Sequence, residues 1–390
     1  MNAASSFFTA MVVTVEGIYQ VNVVGLNPLQ LVLVGTVLEA SIFVCEVPTG
    51  VVADVYSRRL SIIIGTVLIG AGFILWGAIP LFVTVLLAQV LLGVGFTFTS
   101  GAESAWISDE IGEVHAPRFF LESTQVRQVG DLFGILAGVG LGTLRLNLPF
   151  VLGGLLFFGL AVFLMVAMPE AGFVRGRHAD RTTWQKLSLT FKSGIQIIRR
   201  RPVLATILGI GIVFGAASEA FDRLWEVHFL KDFTFPSLGH LQPVLWFGII
   251  NVGVLLLTLA ATGLVRRRLE VYSHSTLARV LLAINGLLMV AMISFGLAGG
   301  FALALGAYWA ARTLRNVYNP LYTAWLNQGL DPEVRATILS MGSQADAFGQ
   351  IAGGPLLGVV ANVYSIRTAL VAVGVILSPI VMLLKQAARS

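Results

Sequence analysis

The stretch EVPTGVVADVYSRRLSI, from Glu46 to Ile62, decides how the rest of the chain is interpreted. Long apolar segments flank it, whereas the stretch itself holds a proline, a glycine, two acids and two arginines. Charged side chains are costly in hydrocarbon, so charge confined between two apolar runs is typical of a loop that joins membrane helices. The stretch therefore predicts a turn between two transmembrane helices.

The composition of the whole chain agrees with a membrane protein. Of its 390 residues, 56% are hydrophobic and 12% are charged, and the mean hydropathy is +0.87. A soluble protein carries roughly 25% charged residues. The net charge of +5 arises from basic residues in loops, so we expect no nucleic-acid partner. A single cysteine, Cys45, excludes an internal disulfide.

Apolar runs predict an all-α polytopic membrane protein with twelve transmembrane helices in two pseudo-symmetric six-helix bundles. The bundles are predicted at residues 1–168 and 203–390, and a basic linker with an amphipathic helix at 169–202. The predicted spans are 4–25, 29–53, 60–79, 81–107, 120–144, 149–168, 203–230, 242–265, 276–297, 300–327, 334–361 and 366–385.

The distribution of lysine and arginine predicts the orientation. With both termini in the cytoplasm, the inner loops and the linker receive most of the basic residues, and the outer loops receive only Arg145, Lys231 and Arg367. Cytoplasmic loops are enriched in lysine and arginine. We therefore expect a multi-pass protein of the cell membrane with cytoplasmic termini.

An internal repeat supports the two halves. Residues 104–134 resemble residues 323–349: both begin at or next to an Ala-Trp pair and both end on Asp-x-Phe-Gly, at Asp131–Gly134 and Asp346–Gly349. Repeats of this kind are typical of transporters.

The loop GVVADVYSRR, residues 50–59, resembles the signature between the second and third helices of the major facilitator superfamily, with matches at Gly50, Asp54, Arg58 and Arg59. Val55 and Ser57 depart from the pattern, since the family usually has a basic residue and a glycine there. The preceding EVPTG is similar to drug-efflux members. Gln89 stands where many proton-coupled members carry an arginine, which weakens the case for proton coupling by the usual route.

The resemblance implies a cytoplasmic gate. Asp54 would face the other bundle near the start of span eleven, and Arg58 would reach Asp109 or Glu110 at the end of span four, with Arg118 in the following loop. Such a cluster would close the inner side and part during turnover. Gly50 is expected to allow close packing near the end of span two. The alternative is that the charges only set the topology.

Three acids, Glu16, Glu39 and Glu103, fall inside predicted spans without a basic residue within one helical turn. Surroundings of low dielectric favour the protonated carboxyl. We expect these acids to couple transport to protons or to bind a cationic substrate. A structural role, as protonated carboxyls hydrogen-bonded between helices, is the alternative. Tyr19 and Gln20 are expected to share a polar face with Glu16.

Other charged residues inside the spans can form ion pairs. Arg127 and Asp131 are spaced i,i+4, as are Glu219 and Arg223. Such pairs stabilise the fold or part as a carrier changes state. Counting Glu16, Glu39, Glu103, Asp131, Glu219, Asp222, Glu226 and Asp346 against Arg127, Arg223, Arg312 and Arg315, acids outnumber bases, although an Asp346 pairing with Arg312 or Arg315 is expected.

These observations predict a secondary transporter and not an enzyme. The function expected first is proton-coupled export of an amphipathic neutral or cationic small molecule by alternating access. Uptake by symport of a nutrient, anionic or lipid-like substrate, with Arg312 and Arg315 gripping an anion, and a transporter-like sensor are the alternatives. We expect no cofactor and no metal, the proton gradient as energy source, and a monomer whose partners are its substrate, protons and the lipid bilayer.

Overall fold

The computed structural model of the protein describes residues 1–112, 115–172, 202–236, 243–269, 274–329 and 332–387. These residues form fourteen α-helices and no strand. The predicted amphipathic helix of the linker falls outside the described residues. The helices are α1 (Asn2–Val13), α2 (Glu16–Asn22), α3 (Pro28–Val55), α4 (Arg58–Ala78), α5 (Phe82–Ile111), α6 (Ala116–Leu144), α7 (Leu148–Ala167), α8 (Pro202–Asp232), α9 (Pro243–Leu269), α10 (His274–Leu297), α11 (Phe301–Gly329), α12 (Pro332–Val363), α13 (Ile366–Ile376) and α14 (Ser378–Ala387).

Seven segments of the described chain are long and apolar enough to cross a membrane by length and composition. Helices α6, α8, α11 and α12 are as long, but the charged and polar side chains that they carry lower their hydropathy. The all-helical architecture is confirmed, whereas twelve spans stay a prediction. The seven segments are Pro28–Val55, Arg58–Ala78, Phe82–Ile111, Leu148–Ala167, Pro243–Val265, Ser275–Leu297 and Ile366–Lys385.

Two predicted spans are each divided into two helices. Between α1 and α2, the amide of Val15 bonds the carbonyl of Val12 at 3.1 Å, a tighter turn than an α-helix has. Between α13 and α14, Pro379 lacks the N–H that would continue the ladder. The Leu377 carbonyl accepts from the amide of Ile380 at 3.1 Å and from the side-chain amide of Asn285 at 3.3 Å.

The chain divides into two compact units, which differ in detail from the predicted bundles. Unit 1 comprises Met1–Leu26, Val37–Thr190 and Leu241–Gly248. Unit 2 comprises Asn27–Thr36, Phe191–His240 and Ile249–Ser390. The predicted domain boundaries at 168 and 203 stay a prediction.

In unit 1, glycines on α6 let this helix lie against the backbone of α1. A Cβ atom at Gly130 would lie 2.5 Å from the Ala3 carbonyl oxygen. At Gly134 it would lie 2.4 Å from the carbonyl oxygen of Phe7. A side chain at either position would therefore collide with backbone. Small residues at helix contacts are what membrane helices need, because lipid supplies no hydrophobic drive for their association.

In unit 2, α12 and α8 pack in the same way. A Cβ atom at Gly349 would lie 2.1 Å from the Ile212 carbonyl oxygen, and one at Gly215 would lie 2.0 Å from that of Asp346. Gly349 and Gly134 close the two copies of the Asp-x-Phe-Gly repeat. The repeat in the sequence thus corresponds to a repeated helix contact inside each unit.

We predict that Gly134→Ala lowers the stability of the purified protein, because the added methyl group meets the Phe7 carbonyl. Overpacking of this kind typically costs about 1–3 kcal/mol. Gly140→Ala is the matched control on the same helix, since a Cβ atom there meets nothing within 4 Å. Thermal unfolding in detergent compares them, and equal midpoints for the two variants would contradict the packing argument.

Candidate functional site

A cavity of about 270 Å³ lies inside unit 1, between α1, α4, α5, α6 and α7. Apolar side chains such as Ile69 and Phe157 line part of it. Three of the predicted site residues, Glu103, Arg127 and Asp131, line the rest together with α1. The structure thus brings together charges from two consecutive helices, α5 and α6.

Helix α1 faces the cavity with a polar stripe of Asn2, Ser5, Ser6 and Thr9. The spacing i, i+3, i+4, i+7 places all four on one face of a helix. The sequence analysis did not identify this stripe, although four polar residues at helical spacing in an apolar segment were a usable signal.

Hydrogen bonds connect the charges of this cavity to α1. Arg127 donates from Nε to the hydroxyl of Ser6 at 3.3 Å, and Asp131 lines the cavity beside the same residue. Asn2 donates from Nδ2 to the hydroxyl of Ser123 on α6 at 2.7 Å. Arg127 therefore contacts Ser6 in place of the predicted direct ion pair with Asp131, while its charge still acts on both carboxyls.

The other two predicted acids of unit 1 lie apart from this group. Gln20 donates from Nε2 to Oε1 of Glu16 at 3.2 Å, which confirms the predicted polar contact on this turn. Glu39 is half-buried on α3. Neither acid lines the cavity, so Glu103 and Asp131 become the foremost candidates for proton binding.

In unit 2, the charges of α8 and α11 pair with one another. Asp222 accepts hydrogen bonds at Oδ1 from Nη1 of Arg312 and, at 2.7 Å, from Nη1 of Arg315. The Arg315 guanidinium also lies over the ring of Phe214, 5.8 Å from its centroid. Both arginines of α11 are therefore bound to one carboxylate.

A second ion pair lies one turn earlier on α8. Arg223 Nε is 3.2 Å from Oε1 of Glu219, a buried carboxyl, as the i,i+4 spacing predicted. The expected pairing of Asp346 with Arg312 or Arg315 is wrong, because both arginines donate to Asp222. Asp346 instead accepts a hydrogen bond from Nε2 of Gln350 at 2.8 Å.

The loop that opened the sequence analysis is shorter than predicted. Only Tyr56 and Ser57 separate α3 from α4, so Arg58 and Arg59 belong to the first turn of α4 rather than to a loop. Arg58 Nε lies 3.1 Å from Oδ2 of Asp109 at the end of α5, the contact that the family resemblance implied.

The other gate residues differ from the expectation or stay untested. The close packing expected at Gly50 is absent from the described structure, since a Cβ atom there meets nothing within 4 Å. Asp54 is exposed near the end of α3. Glu110 accepts a hydrogen bond at Oε1 from the amide of Gly172 at 2.8 Å and does not replace Asp109 as the partner of Arg58. The side chain of Arg118 lies outside the described residues.

Glu170, which the sequence analysis missed, holds the start of α4. Ser57 donates from Oγ to its carboxylate at 2.7 Å, and the amide of Arg59 donates to it at 3.0 Å. Ser57 also caps the helix by accepting from the amide of Leu60 at 2.9 Å. A carboxylate at a helix N-terminus offsets the two arginines that the macrodipole disfavours there. The Ser57 departure from the family pattern thus has a structural function.

Comparisons with known proteins agree with this architecture. The profile of the Major Facilitator Superfamily matches residues 1–353. An uncharacterised MFS-type transporter of Bacillus subtilis, YxaM, is 24% identical over 360 residues, which cover 91% of this chain and 86% of that protein.

Solved transporter structures share the fold at low sequence identity. The nucleoside transporter NupG superposes with a TM-score of 0.76 at 14% identity, covering 100% of this chain and 97% of NupG. A peptide transporter POT in complex with sulfate gives 0.75 at 14% identity, covering 100% and 93%. A bacterial homologue of the lysosomal transporter Spinster gives 0.73 at 15%, covering 100% and 95%. At these identities the likeness shows the fold alone.

We predict that Asp222 and Arg315 are energetically coupled. Asp222→Ala leaves two guanidinium groups without their carboxylate, so it should destabilise the protein more than Arg315→Ala, which leaves Asp222 bound to Arg312. A double-mutant cycle read by chemical unfolding should give a coupling of about 0.5–3 kcal/mol. The control cycle pairs Asp222→Ala with Arg279→Ala, an exposed arginine of α10. If the effects of Asp222→Ala and Arg315→Ala on stability were as additive as those of the control cycle, the ion pair would be contradicted.

Proposed function

Since the chain belongs to the Major Facilitator Superfamily, a family of membrane transporters and not of enzymes, we propose that it exports a small amphipathic molecule, neutral or cationic, in exchange for protons. The observation that carries this proposal is the cavity in unit 1 lined by Glu103, Arg127 and Asp131. Transport would proceed by alternating access.

The cavity supports proton coupling because its carboxyls can exchange protons with water. A cavity of about 270 Å³ has room for several water molecules. Arg127 acts on both Glu103 and Asp131, and the amino group of Met1 also acts on Glu103. We propose that one of these two carboxyls binds and releases the coupling proton. Transporters of this family typically need no cofactor, and we propose the proton gradient as the energy source.

The charges of unit 2 favour a neutral or cationic substrate over an anionic one. Uptake of an anion would require Arg312 and Arg315 to grip it, but both donate to Asp222. The acids that were counted inside the spans also outnumber the bases. The anionic symporter is therefore the second candidate, and a sensor that binds without transport is the third.

We further propose that the contact between Arg58 and Asp109 is part of a gate on the cytoplasmic side. The hydrogen bonds of Glu170 fix the first turn of α4, so the backbone that carries Arg58 is held in place while its contact with Asp109 parts. Asp54 is assigned to the same gate. The protein would be a monomer in the cytoplasmic membrane with both termini in the cytoplasm.

A substrate panel in proteoliposomes with an imposed pH gradient tests the function. Ethidium represents the organic cations, uridine the neutral molecules, p-aminohippurate the anions and alanyl-alanine the peptides; nucleosides and peptides are included because the solved relatives are named for them. We expect gradient-driven accumulation of ethidium in inside-out vesicles. Gradient-driven accumulation of p-aminohippurate in right-side-out vesicles would support symport, and binding without flux would support a sensor.

We predict that Glu103→Gln or Asp131→Asn abolishes transport driven by the pH gradient and leaves the folded yield unchanged. Each change removes a proton acceptor but keeps the size of the side chain. Glu122→Gln is the matched control, because Glu122 is an exposed acid of α6 that does not line the cavity. If both single variants retain gradient-driven transport, the assignment of the proton site is wrong.

We predict that Arg58→Asp and Asp109→Arg each slow turnover, because each puts like charges at a contact of 3.1 Å. The double exchange Arg58→Asp with Asp109→Arg restores an opposite pair and should recover most of the rate. Initial rates and binding of the same probe are measured in parallel. A double variant as slow as the singles would show that the contact has no part in turnover.

A further inference from the structure

His228, near the end of α8, is fully buried between two oxygen atoms. Its Nδ1 lies 2.6 Å from Oδ2 of Asp232, and its Nε2 lies 3.1 Å from the carbonyl oxygen of Phe295 on α10. The rings of Phe233 and Phe295 stand edge-on to the imidazole, with centroids 4.9 and 4.7 Å away. Neither the proposed transport cycle nor the gate uses this histidine.

The two contacts cannot both be hydrogen bonds of a neutral imidazole beside an ionised carboxylate. A neutral imidazole carries one N–H and a carbonyl oxygen only accepts, so with a single proton one nitrogen lone pair would face an oxygen lone pair. Two ring protons satisfy both contacts: Nε2–H donates to the Phe295 carbonyl and Nδ1–H donates to Oδ2 of Asp232. We propose that His228 and Asp232 form a proton-binding site that holds this second proton when α8 and α10 are packed together.

The two charged groups beside the ring act on the second proton in opposite directions, since Asp232 favours it and Arg367 opposes it. Burial opposes a charge on the imidazole alone, but with Asp232 ionised the doubly protonated pair has no net charge. Arg367 on α13 is the other charged group that faces it, with Nε 3.8 Å from Oδ1 of Asp232 and its guanidinium 5.6 Å from the Phe233 centroid. Helix α10 contributes the Phe295 carbonyl oxygen to the ring.

The site joins two helices through one proton. The Nε2 bond to Phe295 links α8 to α10, and the second proton lets that bond coexist with the bond to Asp232. Loss of the proton at high pH favours separation of α8 from α10. Separation of these helices in turn favours loss of the proton. His228 lies on the same helix as Asp222, six residues further along, or about 9 Å at about 1.5 Å per residue. The site is thus distinct from the carboxyls of the unit 1 cavity.

Nitrogen NMR of the full chain, labelled with ¹⁵N-histidine in lipid nanodiscs, tests the proposal. At about pH 7.5 a free imidazole with a pKa of about 6.5 is about one-tenth doubly protonated, whereas we expect the His228 ring to be almost wholly so. In Asp232→Asn the side-chain amide can donate to Nδ1, so we expect one ring proton and a retained fold. His115, exposed at the start of α6, is the reference ring in the same spectra.

A His228 ring with a single proton at this pH in the unaltered protein overturns the proposal, whether or not the Asp232→Asn protein folds. A doubly protonated ring that persists in Asp232→Asn also overturns it, since the carboxylate would then have no part in holding the proton. The readout needs no substrate. If Glu103→Gln and Asp131→Asn did not affect transport, the NMR result for His228 would still stand. A negative NMR result would likewise leave the proposed transport function unchanged.

Discussion

The backbone contact between a glycine and the carbonyl of a neighbouring helix determines where the charged side chains of each unit lie. Asp131 precedes Gly134 by three residues, and Asp346 precedes Gly349 by the same interval. In each unit the glycine lies against a backbone carbonyl of the partner helix, so the acid one turn away is brought against the same helix. In unit 1 this places Asp131 at the cavity that the polar stripe of α1 also lines. The Asp-x-Phe-Gly repeat therefore encodes an acid and the contact that positions it.

The two units use their charges differently although their helix contacts are equivalent. In unit 1 three charged residues, Glu103, Arg127 and Asp131, line a cavity, and Arg127 reaches α1 through the Ser6 hydroxyl. In unit 2 the charges of α8 and α11 bind each other directly. Charges in an apolar environment need a partner or water, and the cavity of unit 1 offers room for water. The proposed proton exchange is therefore assigned to unit 1.

The sequence predicted the parts that depend on composition and local spacing. Apolar runs gave the helices, the i,i+4 interval gave the pair of Glu219 and Arg223, and the family resemblance gave the contact of Arg58 with Asp109. The features that were not predicted concern which of several residues a charged side chain contacts in the folded chain. Sequence spacing does not predict that Arg312 and Arg315 pair with Asp222 rather than with Asp346. The arginines lie on α11, Asp222 on α8 and Asp346 on α12, and only the folded chain determines which of them meet.

Capping of α4 by Glu170 was missed for a related reason. The carboxylate lies more than a hundred residues from Ser57 in the sequence, so only the folded chain brings it to the first turn of that helix. Ser57 itself was visible as a departure from the family signature, and serine is a preferred N-cap residue. Ser57 as an N-cap would have predicted the start of α4 at Arg58, two residues earlier than hydropathy placed it.

Unit 2 contains close backbone contacts at glycines and ion pairs whose partners can change. This combination suits a protein that must change state. The backbone contacts at Gly215 and Gly349 leave no space for sliding, since even a methyl group would collide there. The ion pairs have an alternative, because Asp222 holds two arginines and keeps a cationic partner when one departs. Asp346 acts electrostatically on the same groups, since Arg315 and Asp222 both influence its carboxyl. A carrier can therefore exchange charge partners on α8, α11 and α12 without repacking the helices that present them.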